Sequence, residues 1–271
     1  MENKLYMEPT TTHVQKEQSD IGLISVIMAA YNAEQTIAQA IHSVLTQTYK
    51  NLELIIVDDC STDTTIQVIS SFNDKRIRLI CNEKNSGVSY TRQRAAKNAN
   101  GRWIAVLDSD DAWTNTKLEL QANVQKETNA SLLFTGSAFM DVYGEKIDWE
   151  LHVPPKIDYH KLLRQNLISN SSVLVKKALY LKYSNSDKNS DLAHEDFVCW
   201  LRMLKDGYIA YGIDQPLLIY RLSGNSKSGN KLKAAKMNWN TYRAVGLSLP
   251  ASCYYMLWYT VNGLKKYKNL K

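Results

Sequence analysis

Residues 24–58 read ISVIMAAYNAEQTIAQAIHSVLTQTYKNLELIIVD, and this stretch decides the fold. Its first seven residues, 24–30, are a short apolar run rich in β-branched side chains, which is typical of a buried parallel strand. Apolar residues then recur at helical spacing and predict an amphipathic helix over 34–48. A second apolar run, 52–57, leads into Asp58. Strand, helix and strand in this order predict a β-α-β unit.

The same alternation continues along the chain. We predict further helices over 64–72 and 88–99, and further strands over 77–81 and 103–107. Alternating strands and helices favour an α/β fold, with a mostly parallel sheet and helices on both faces. Ligands bind to such sheets outside the carboxyl ends of the strands. Two acidic clusters, Asp58-Asp59 and 108–111, follow directly after strands, so we expect a site at that edge.

The second half of the sequence is less regular. Its pattern predicts strands over 131–140, 171–175, 208–213 and 217–220, and helices over 158–166 and 195–205. Gly, Ser, Asn and Lys dominate residues 223–230, so we expect the main domain to end near this stretch.

The bulk composition bounds the class of protein. With 271 residues, 44% of them hydrophobic, the chain can form one large α/β domain, alone or with a short appendage. A net charge of +6 is mild for this length and indicates no nucleic-acid partner. The four cysteines show no CxxC pair, which favours a reducing compartment. Residues 1–21 contain no apolar core of the kind that a secretory signal needs, so we expect a flexible leader.

The strongest chemical signal is Asp108-Ser109-Asp110-Asp111, which follows the predicted strand 103–107. Three carboxylates this close repel one another unless solvent or a cation compensates them. Oxygen ligands of this kind suit Mg²⁺ or Mn²⁺, which are commonly held by one or two carboxylates and by substrate phosphates. A solvated charged loop is the alternative. A calcium loop of the EF-hand type is excluded, because Ala112 and Trp113 stand where an oxygen ligand and a glycine are needed.

A second acidic pair, Asp58-Asp59, follows the strand 52–57. A carboxylate at a strand end can accept a hydrogen bond from a uracil ring or from ribose hydroxyls. Asp and Ser also cap helices, and capping is the interpretation we favour for Asp63. For Asp59 we favour nucleotide contact, because the cluster 108–111 is expected at the same edge of the sheet.

Two further groups are candidates for the site. Asn85-Ser86-Gly87 precedes a predicted helix that carries Arg92, and a helix N-terminus with a nearby guanidinium suits a diphosphate. Glu195 and Asp196 begin another predicted helix, where acidic residues also stabilise the helix end through its dipole. Asp196 is nevertheless a candidate general base. The sequence has neither a Gly-x-Gly-x-x-Gly nor a Walker motif, which argues against dinucleotide enzymes and P-loop NTPases.

These motifs together resemble the family 2 glycosyltransferases, which have a GT-A fold. The resemblance rests on residues 25–32 (SVIMAAYN), 43–48 (SVLTQT), 57–63 (VDDCSTD) and 107–111 (LDSDD), and covers about residues 22 to 225. The stretches 194–202, 220–223 and 230–236 look like the bacterial subgroup that builds O-antigen, capsule or teichuronic-type polysaccharides. The resemblance implies a Rossmann-like, mostly parallel sheet flanked by helices in 22–225, followed by a helical appendage.

The resemblance also implies roles for individual residues. Nucleotide-sugar contacts fall on Ala30, Tyr31, Asp58, Asp59, Arg92, Asp108, Ser109 and Asp110, and the metal, Mn²⁺ or Mg²⁺, on Asp110 and Asp111. Asp196, beside Glu195, matches the general base. Two positions depart from the pattern: Gln93 follows Arg92 where the family often has Asn, and Ser223 stands where many members have His. The second departure puts a catalytic role for position 223 in doubt.

The expected activity is an inverting transfer of a hexose, with glucose or galactose favoured, from a UDP-sugar to a sugar hydroxyl. By analogy with the subgroup, the acceptor is a GlcNAc or GalNAc on undecaprenyl diphosphate, and the product is β-linked. Two alternatives remain open at this point: a sugar-phosphate nucleotidyltransferase, and an inactive nucleotide-sugar-binding scaffold of a polysaccharide assembly complex. No oligomeric state is indicated.

The C-terminal segment, 226–271, is aromatic and basic. Residues 244–264 contain no charge, and Lys265 and Lys266 follow. This pattern suits a helix in the headgroup region better than one that crosses the bilayer. Packing on the domain's own core is the equal alternative. If the segment contacts lipid, the protein is peripheral on the cytoplasmic face of the bacterial inner membrane.

Overall fold

The computed structural model describes residues 20–184, 192–222 and 231–268. Within these ranges the strands form one sheet. They are β1 (Ile24–Ala30), β2 (Leu52–Asp58), β3 (Ile77–Cys81), β4 (Trp103–Val106), β5 (Ala112–Trp113), β6 (Leu132–Met140), β7 (Lys146–Leu151), β8 (Lys156–Ile157), β9 (Leu174–Lys176) and β10 (Ala210–Arg221). The helices are α1 (Ile37–Leu45), α2 (Thr65–Ser70), α3 (Val88–Lys97), α4 (Lys117–Thr128), α5 (Tyr159–Arg164), α6 (Lys177–Tyr183), α7 (Glu195–Lys205), α8 (Lys231–Ala244) and α9 (Leu249–Lys268).

One half of the sheet is a continuous run of parallel strands. The sheet's main path runs β3-β2-β1-β4-β9-β6-β10-β5, and β3, β2, β1 and β4 are parallel neighbours. β9 lies antiparallel between β4 and β6, and β6 pairs with β10 in parallel. The predicted mostly parallel α/β sheet is therefore confirmed. Its short antiparallel strands, β5, β7 and β8, were not predicted.

The hydrophobic core lies in two layers because successive strand residues point to opposite faces of the sheet. Val26 and Met28 of β1 pack with α1 and α4 on one face, whereas Ile27 packs on the other. That second face is covered by α3 and by α5 to α9. A strand buried on both faces must be apolar throughout, which is the pattern that 24–30 shows.

Two segments differ from the predicted strands. Residues 170–172 form a 3₁₀ turn, so the strand expected over 171–175 is reduced to β9. A residue far from the turn in sequence stabilises it, because the Trp113 indole N–H donates a hydrogen bond to the Ser171 carbonyl (2.6 Å). The two strands expected over 208–213 and 217–220 are one strand, β10. Its pairing with β6 shifts register on both sides of Pro216, which has no N–H to donate to the ladder.

The ends of the predicted domains fall largely on residues outside the described ranges. Residues 1–19 of the expected leader and the boundary stretch 223–230, with Ser223, are not described. The C-terminal segment is helical as expected. α8 packs on α7 and α9, and α9 packs on α5.

Candidate active site

A cleft of about 920 Å³ opens at the carboxyl ends of β1, β2 and β4. This is the edge that the strand order predicts for ligands. Seven of the predicted site residues line it: Ala30, Tyr31, Asp59, Arg92, Asp108, Ser109 and Asp110. Asp58 and Asp111 are buried and do not line the cleft, and Glu195 and Asp196 line a small adjoining cavity that shares Arg92 with it.

The loops after β1 and β2 interlock at the floor of this cleft. Asn32 and Cys60 both have positive φ angles, 48° and 69°, which turn the chain sharply after each strand. The Asn32 side chain accepts a hydrogen bond from the Thr62 N–H (2.9 Å). Asp58 accepts from the Ser61 N–H and hydroxyl (2.9 and 2.5 Å). Asp58 therefore stabilises the loop after β2 through hydrogen bonds inside that loop.

Asp59 faces the cleft and also organises the loop before α3. One carboxylate oxygen accepts from the Asn82 amide (2.6 Å) and the Ser86 N–H (2.9 Å), and the other accepts from the Gly87 N–H (2.8 Å). A carboxylate has about four acceptor sites, so one acceptor position remains after these three bonds. That position suits a ring N–H such as the one uracil presents.

Arg92 joins the two halves of the site. Its guanidinium bridges Asp108 (2.5 Å), after β4, and Glu195 (2.6 Å), at the start of α7. Burial by itself would lower the pKa of Arg92, but the two carboxylates raise it above its usual value. Both arms of the guanidinium are engaged within the protein, so Arg92 acts first as a link between Asp108 and Glu195.

The acidic cluster divides into half-buried members, which line the cleft, and the buried Asp111. The side chain of Asp110 lines the cleft, and burial together with the charge of Asp108 raises its pKa. Asp111 is only 2% exposed and accepts from the Arg221 N–H (3.0 Å). Burial and the charges of Asp110 and Asp108 raise the pKa of Asp111 well above its usual value.

The carboxylates of Asp108 and Asp110 suit a hard divalent cation for an electrostatic reason. Asp108 and Asp110 repel each other in a partly desolvated cleft, and a cation would relieve that repulsion. Among the described residues, no group of three or more His, Cys, Asp or Glu side chains is placed to hold a metal. Such a cation would thus depend on substrate phosphates for further ligands, as Mg²⁺ commonly does. The metal role of Asp111 stays a prediction.

Asp196 lies at the N-terminus of α7, beside the Arg92 link. Burial, and then the charge of Glu195, raise the pKa of its carboxyl above the usual aspartate value. A raised pKa brings an acid group closer to the range in which it can accept a proton and release it again. The general-base role of Asp196 stays a prediction, and the raised pKa is in keeping with it.

Three further residues of the site were not predicted as such. Asn82 binds Asp59, Asn170 donates to Asp108 (3.3 Å), and the Arg221 side chain donates to the Asp110 carbonyl (2.9 Å). Asn82 directly follows β3 and Arg221 ends β10. The rule that located the acidic clusters, polar residues at strand carboxyl ends, would have found both. Asn170 lies in the unpredicted 3₁₀ turn and carried no such signal.

Comparison with known proteins settles the family. The model of the family "Glycosyl transferase family 2" matches residues 25–185, which is more than half of the chain. The chain belongs to this family. The resemblance stated from the motifs is confirmed, and the protein is a glycosyltransferase.

Relatives of this glycosyltransferase are similar over nearly their whole length. It is 38% identical, over 92% of its own chain and 98% of the relative, to WfgD of Escherichia coli, a UDP-Glc:α-D-GlcNAc-diphosphoundecaprenol β-1,3-glucosyltransferase. WfaP of Escherichia coli carries the same activity in its name and is 34% identical, over 90% and 95%. TuaG of Bacillus subtilis (strain 168), whose name assigns it to teichuronic acid biosynthesis, is 37% identical, over 90% and 97%.

Solved structures agree on the fold of this glycosyltransferase. Staphylococcus aureus TarS 1–349 in complex with UDP-GlcNAc matches with a TM-score of 0.64 at 19% identity, over 86% of this chain and 70% of the other. The mannosyltransferase PcManGT of Pyrobaculum calidifontis, in complex with GDP-Man and Mn²⁺, matches with 0.64 at 15% identity, over 87% and 68%. The GT-A fold implied by the resemblance is confirmed.

Proposed function

We propose that this glycosyltransferase moves a hexose, glucose or galactose, from its UDP derivative to a sugar hydroxyl of GlcNAc- or GalNAc-diphospho-undecaprenol. The product is a β-linked disaccharide on the lipid, an intermediate of bacterial surface polysaccharide such as O-antigen or capsule. The names of WfgD and WfaP favour glucose as the sugar and a 3-hydroxyl as its acceptor. The observation that carries the proposal is the similarity to WfgD and WfaP over nearly their whole length, and the Arg92 bridge joins the acidic strand end to the Glu195-Asp196 pair that such a transfer would use.

The residues divide the work of a single displacement. Asp59, Ala30 and Tyr31 hold the nucleotide, and Asp108 and Asp110 face its ribose and diphosphate. Asp196 accepts the proton of the acceptor hydroxyl while that oxygen bonds to the anomeric carbon. The bond from the anomeric carbon to the UDP oxygen breaks on the opposite side, and UDP leaves with the electron pair. An α-linked donor therefore gives a β-linkage.

The reaction is proposed to depend on Mn²⁺ or Mg²⁺. Asp110, with Asp108 nearby, would hold the ion together with the substrate diphosphate. When bound, the ion supplies positive charge that stabilises the leaving diphosphate. Asp111 contributes by fixing the loop, because its carboxylate accepts a hydrogen bond from the Arg221 N–H.

The proposed place of action is the cytoplasmic face of the inner membrane, with the enzyme peripheral to it. The lipid tail of the proposed acceptor would keep that substrate in the membrane. The four cysteines are all free, which fits a reducing compartment.

The test is a release assay with purified protein, MnCl₂, UDP-glucose or UDP-galactose, and a synthetic GlcNAc-diphospho-lipid. We expect release of UDP only when the acceptor is present, and a β-anomeric signal in the NMR spectrum of the product. Asp196→Ala, which should bind UDP normally, is the matched control for contaminating activity. Release of pyrophosphate from a nucleoside triphosphate and a sugar phosphate would indicate a nucleotidyltransferase instead. UDP binding without turnover on any acceptor would indicate a scaffold.

A further inference from the structure

The last described helix, α9, has apolar side chains turned outward. Its exposed residues include Pro250, Cys253, Tyr254, Leu257, Trp258 and Val261, here called the α9 outer face, with Leu249 at the start of the helix and Thr260 as the exposed polar residue beside them. None of these residues is charged, and the Leu257 side chain is 68% exposed. A surface helix of a soluble protein normally buries its apolar stripe and exposes charges. α9 packs Tyr255 and Met256 on the core but also exposes apolar residues and no charge among residues 249–262, so the expected packing on the core explains only one of its sides.

The inward side of α9 combines apolar packing of Tyr255 and Met256 on the core with hydrogen bonds, and together these fix the rotation of the helix. The Ser252 hydroxyl is fully buried and donates to the Ser248 carbonyl (2.9 Å). The Tyr255 hydroxyl lies 3.0 Å from Nδ1 of His160, and the Asn262 amide donates to the Arg164 carbonyl (3.1 Å). Rotating the helix to bury the outer face would break the last two bonds. The exposure of the outer face is therefore a built feature of the fold.

Positive charge borders this apolar face. The exposed side chains of Lys161 and Arg164 lie on α5, which packs against α9, and the Arg164 guanidinium is 5.5 Å from the centre of the Trp258 ring. In the sequence, the charge-free run 244–264 is followed by Lys265, Lys266 and Lys268. Apolar and aromatic side chains bordered by Lys and Arg complement the headgroup region of an anionic membrane. No helix in the described part of the chain is long and apolar enough to cross a bilayer.

We infer that the α9 outer face docks on an anionic lipid surface, with Leu257, Trp258 and Val261 inserted among the headgroups and Lys161 and Arg164 above them. This inference deepens the proposed function, on which it rests for the presence of a lipid-borne acceptor. The docked face is also close to the catalytic helix. α5 and α8 each contact both α9 and α7, and the His194 N–H, just before Asp196, donates to the Thr241 hydroxyl of α8 (3.1 Å). The base would therefore stand one layer of helices from the membrane.

The test is flotation of the full chain with vesicles, without any sugar nucleotide, so that its outcome is independent of the transfer reaction. We expect binding to phosphatidylcholine vesicles that contain about 30% phosphatidylglycerol, and much weaker binding to phosphatidylcholine alone. Leu257→Asp should lower the partition coefficient about tenfold or more, because it replaces an inserted side chain with a charge. Leu257→Met, which keeps an apolar side chain at this position, should bind the vesicles as wild type does. Ile209→Asp, at an exposed apolar position outside α9, is the matched control and should bind like wild type.

A second variant tests the charged border without touching the apolar face. Lys161→Glu should weaken binding to anionic vesicles and reduce its sensitivity to salt. With a lipid acceptor in vesicles, Leu257→Asp should lose turnover, whereas with a water-soluble acceptor analogue it should keep it. The inference is overturned if wild type does not float with anionic vesicles, or if Leu257→Asp binds as wild type does. It is also overturned if the chain sediments as a dimer that Leu257→Asp converts to monomers, since a second copy would then cover the face.

Discussion

The pKa of Asp196 reflects opposing influences. Burial raises it most and the charge of the preceding Glu195 raises it further, while His194 and Arg92 lower it. Arg92 is bound to Glu195, so its positive charge is partly neutralised there. This leaves a carboxylate that is basic for an aspartate, at the end of a helix whose position is fixed by its packing.

We predict that Asp196→Asn lowers kcat by roughly 10²- to 10⁴-fold, which is the usual contribution of a general base. Asparagine has nearly the same shape, so the affinity for UDP should not change. Steady-state kinetics and calorimetric titration with UDP separate the two quantities. A kcat within twofold of wild type would assign the base to another residue.

The raised pKa of Asp196 also predicts a pH dependence. Only the ionised carboxylate accepts a proton, so kcat/KM should be full above the raised pKa and decline as the pH falls through it. The acidic limb should therefore lie above the usual range of an aspartate. Glu195→Gln removes a like charge and leaves the charge of Arg92 unopposed on that side, and both changes lower the pKa of Asp196. The limb of this variant should move to lower pH, and an unchanged or upward-shifted limb would contradict the assignment.

At the scale of elements, Arg92 determines how three parts of the fold meet. It stands on α3 and binds the end of β4 through Asp108 and the start of α7 through Glu195, and its side chain is about 10% exposed. Removing a nearly buried charge from such a network leaves its partners uncompensated. The relative positions of the donor side and the base side of the cleft depend on this residue.

We predict that Arg92→Gln lowers the free energy of unfolding by about 3–5 kcal/mol, because two carboxylates lose their cation. Urea denaturation measures this loss. Adding Glu195→Gln should recover part of it, since one uncompensated charge is then removed, and a double-mutant cycle gives the coupling energy. If the losses in unfolding free energy of Arg92→Gln and Glu195→Gln simply add in the double variant, the bridge does not contribute to stability. Arg78→Gln, on exposed β3, is a control that should cost much less.

At the scale of the described molecule, the two proposals concern two surfaces: the cleft at the strand ends and the α9 outer face. α7 carries the base for the first and is separated from the second by α5 and α8. This arrangement suits a substrate that is half carbohydrate and half lipid.

We predict that chelation of divalent metal abolishes transfer and that excess Mn²⁺ or Mg²⁺ restores it. Asp108 and Asp110 repel each other and the diphosphate, so without a cation both UDP affinity and kcat should fall. The measurement is UDP release and UDP binding in EDTA, before and after addition of metal. Asp110→Asn should weaken the metal dependence, and full activity in EDTA would contradict the metal role.

Several structural features could not be predicted from the sequence because long-range contacts produce them. α4 buries Lys117 and Gln121, which bond to each other (2.9 Å), and the Lys117 ammonium lies 4.0 Å from the Trp113 ring centre. The buried side of α4 mixes these polar residues with Leu118 and Ala122, so its apolar stripe is too narrow to stand out in a periodicity search. The burial of Asp111 depends on Arg221, 110 residues away, and the Arg92 bridge spans 103 residues.

The sequence by itself determined the alternation of strands and helices, and hence the parallel sheet and the edge that holds the site. These follow from local periodicity and from the direction of parallel strands. It also determined which residue types gather at that edge. Only the tertiary structure decided which of those carboxylates face the cleft and which are buried and hydrogen-bonded inside the protein. It also decided which side of α9 faces outward. Those outcomes depend on pairs of residues far apart in the chain, and local sequence contains no information about their distance.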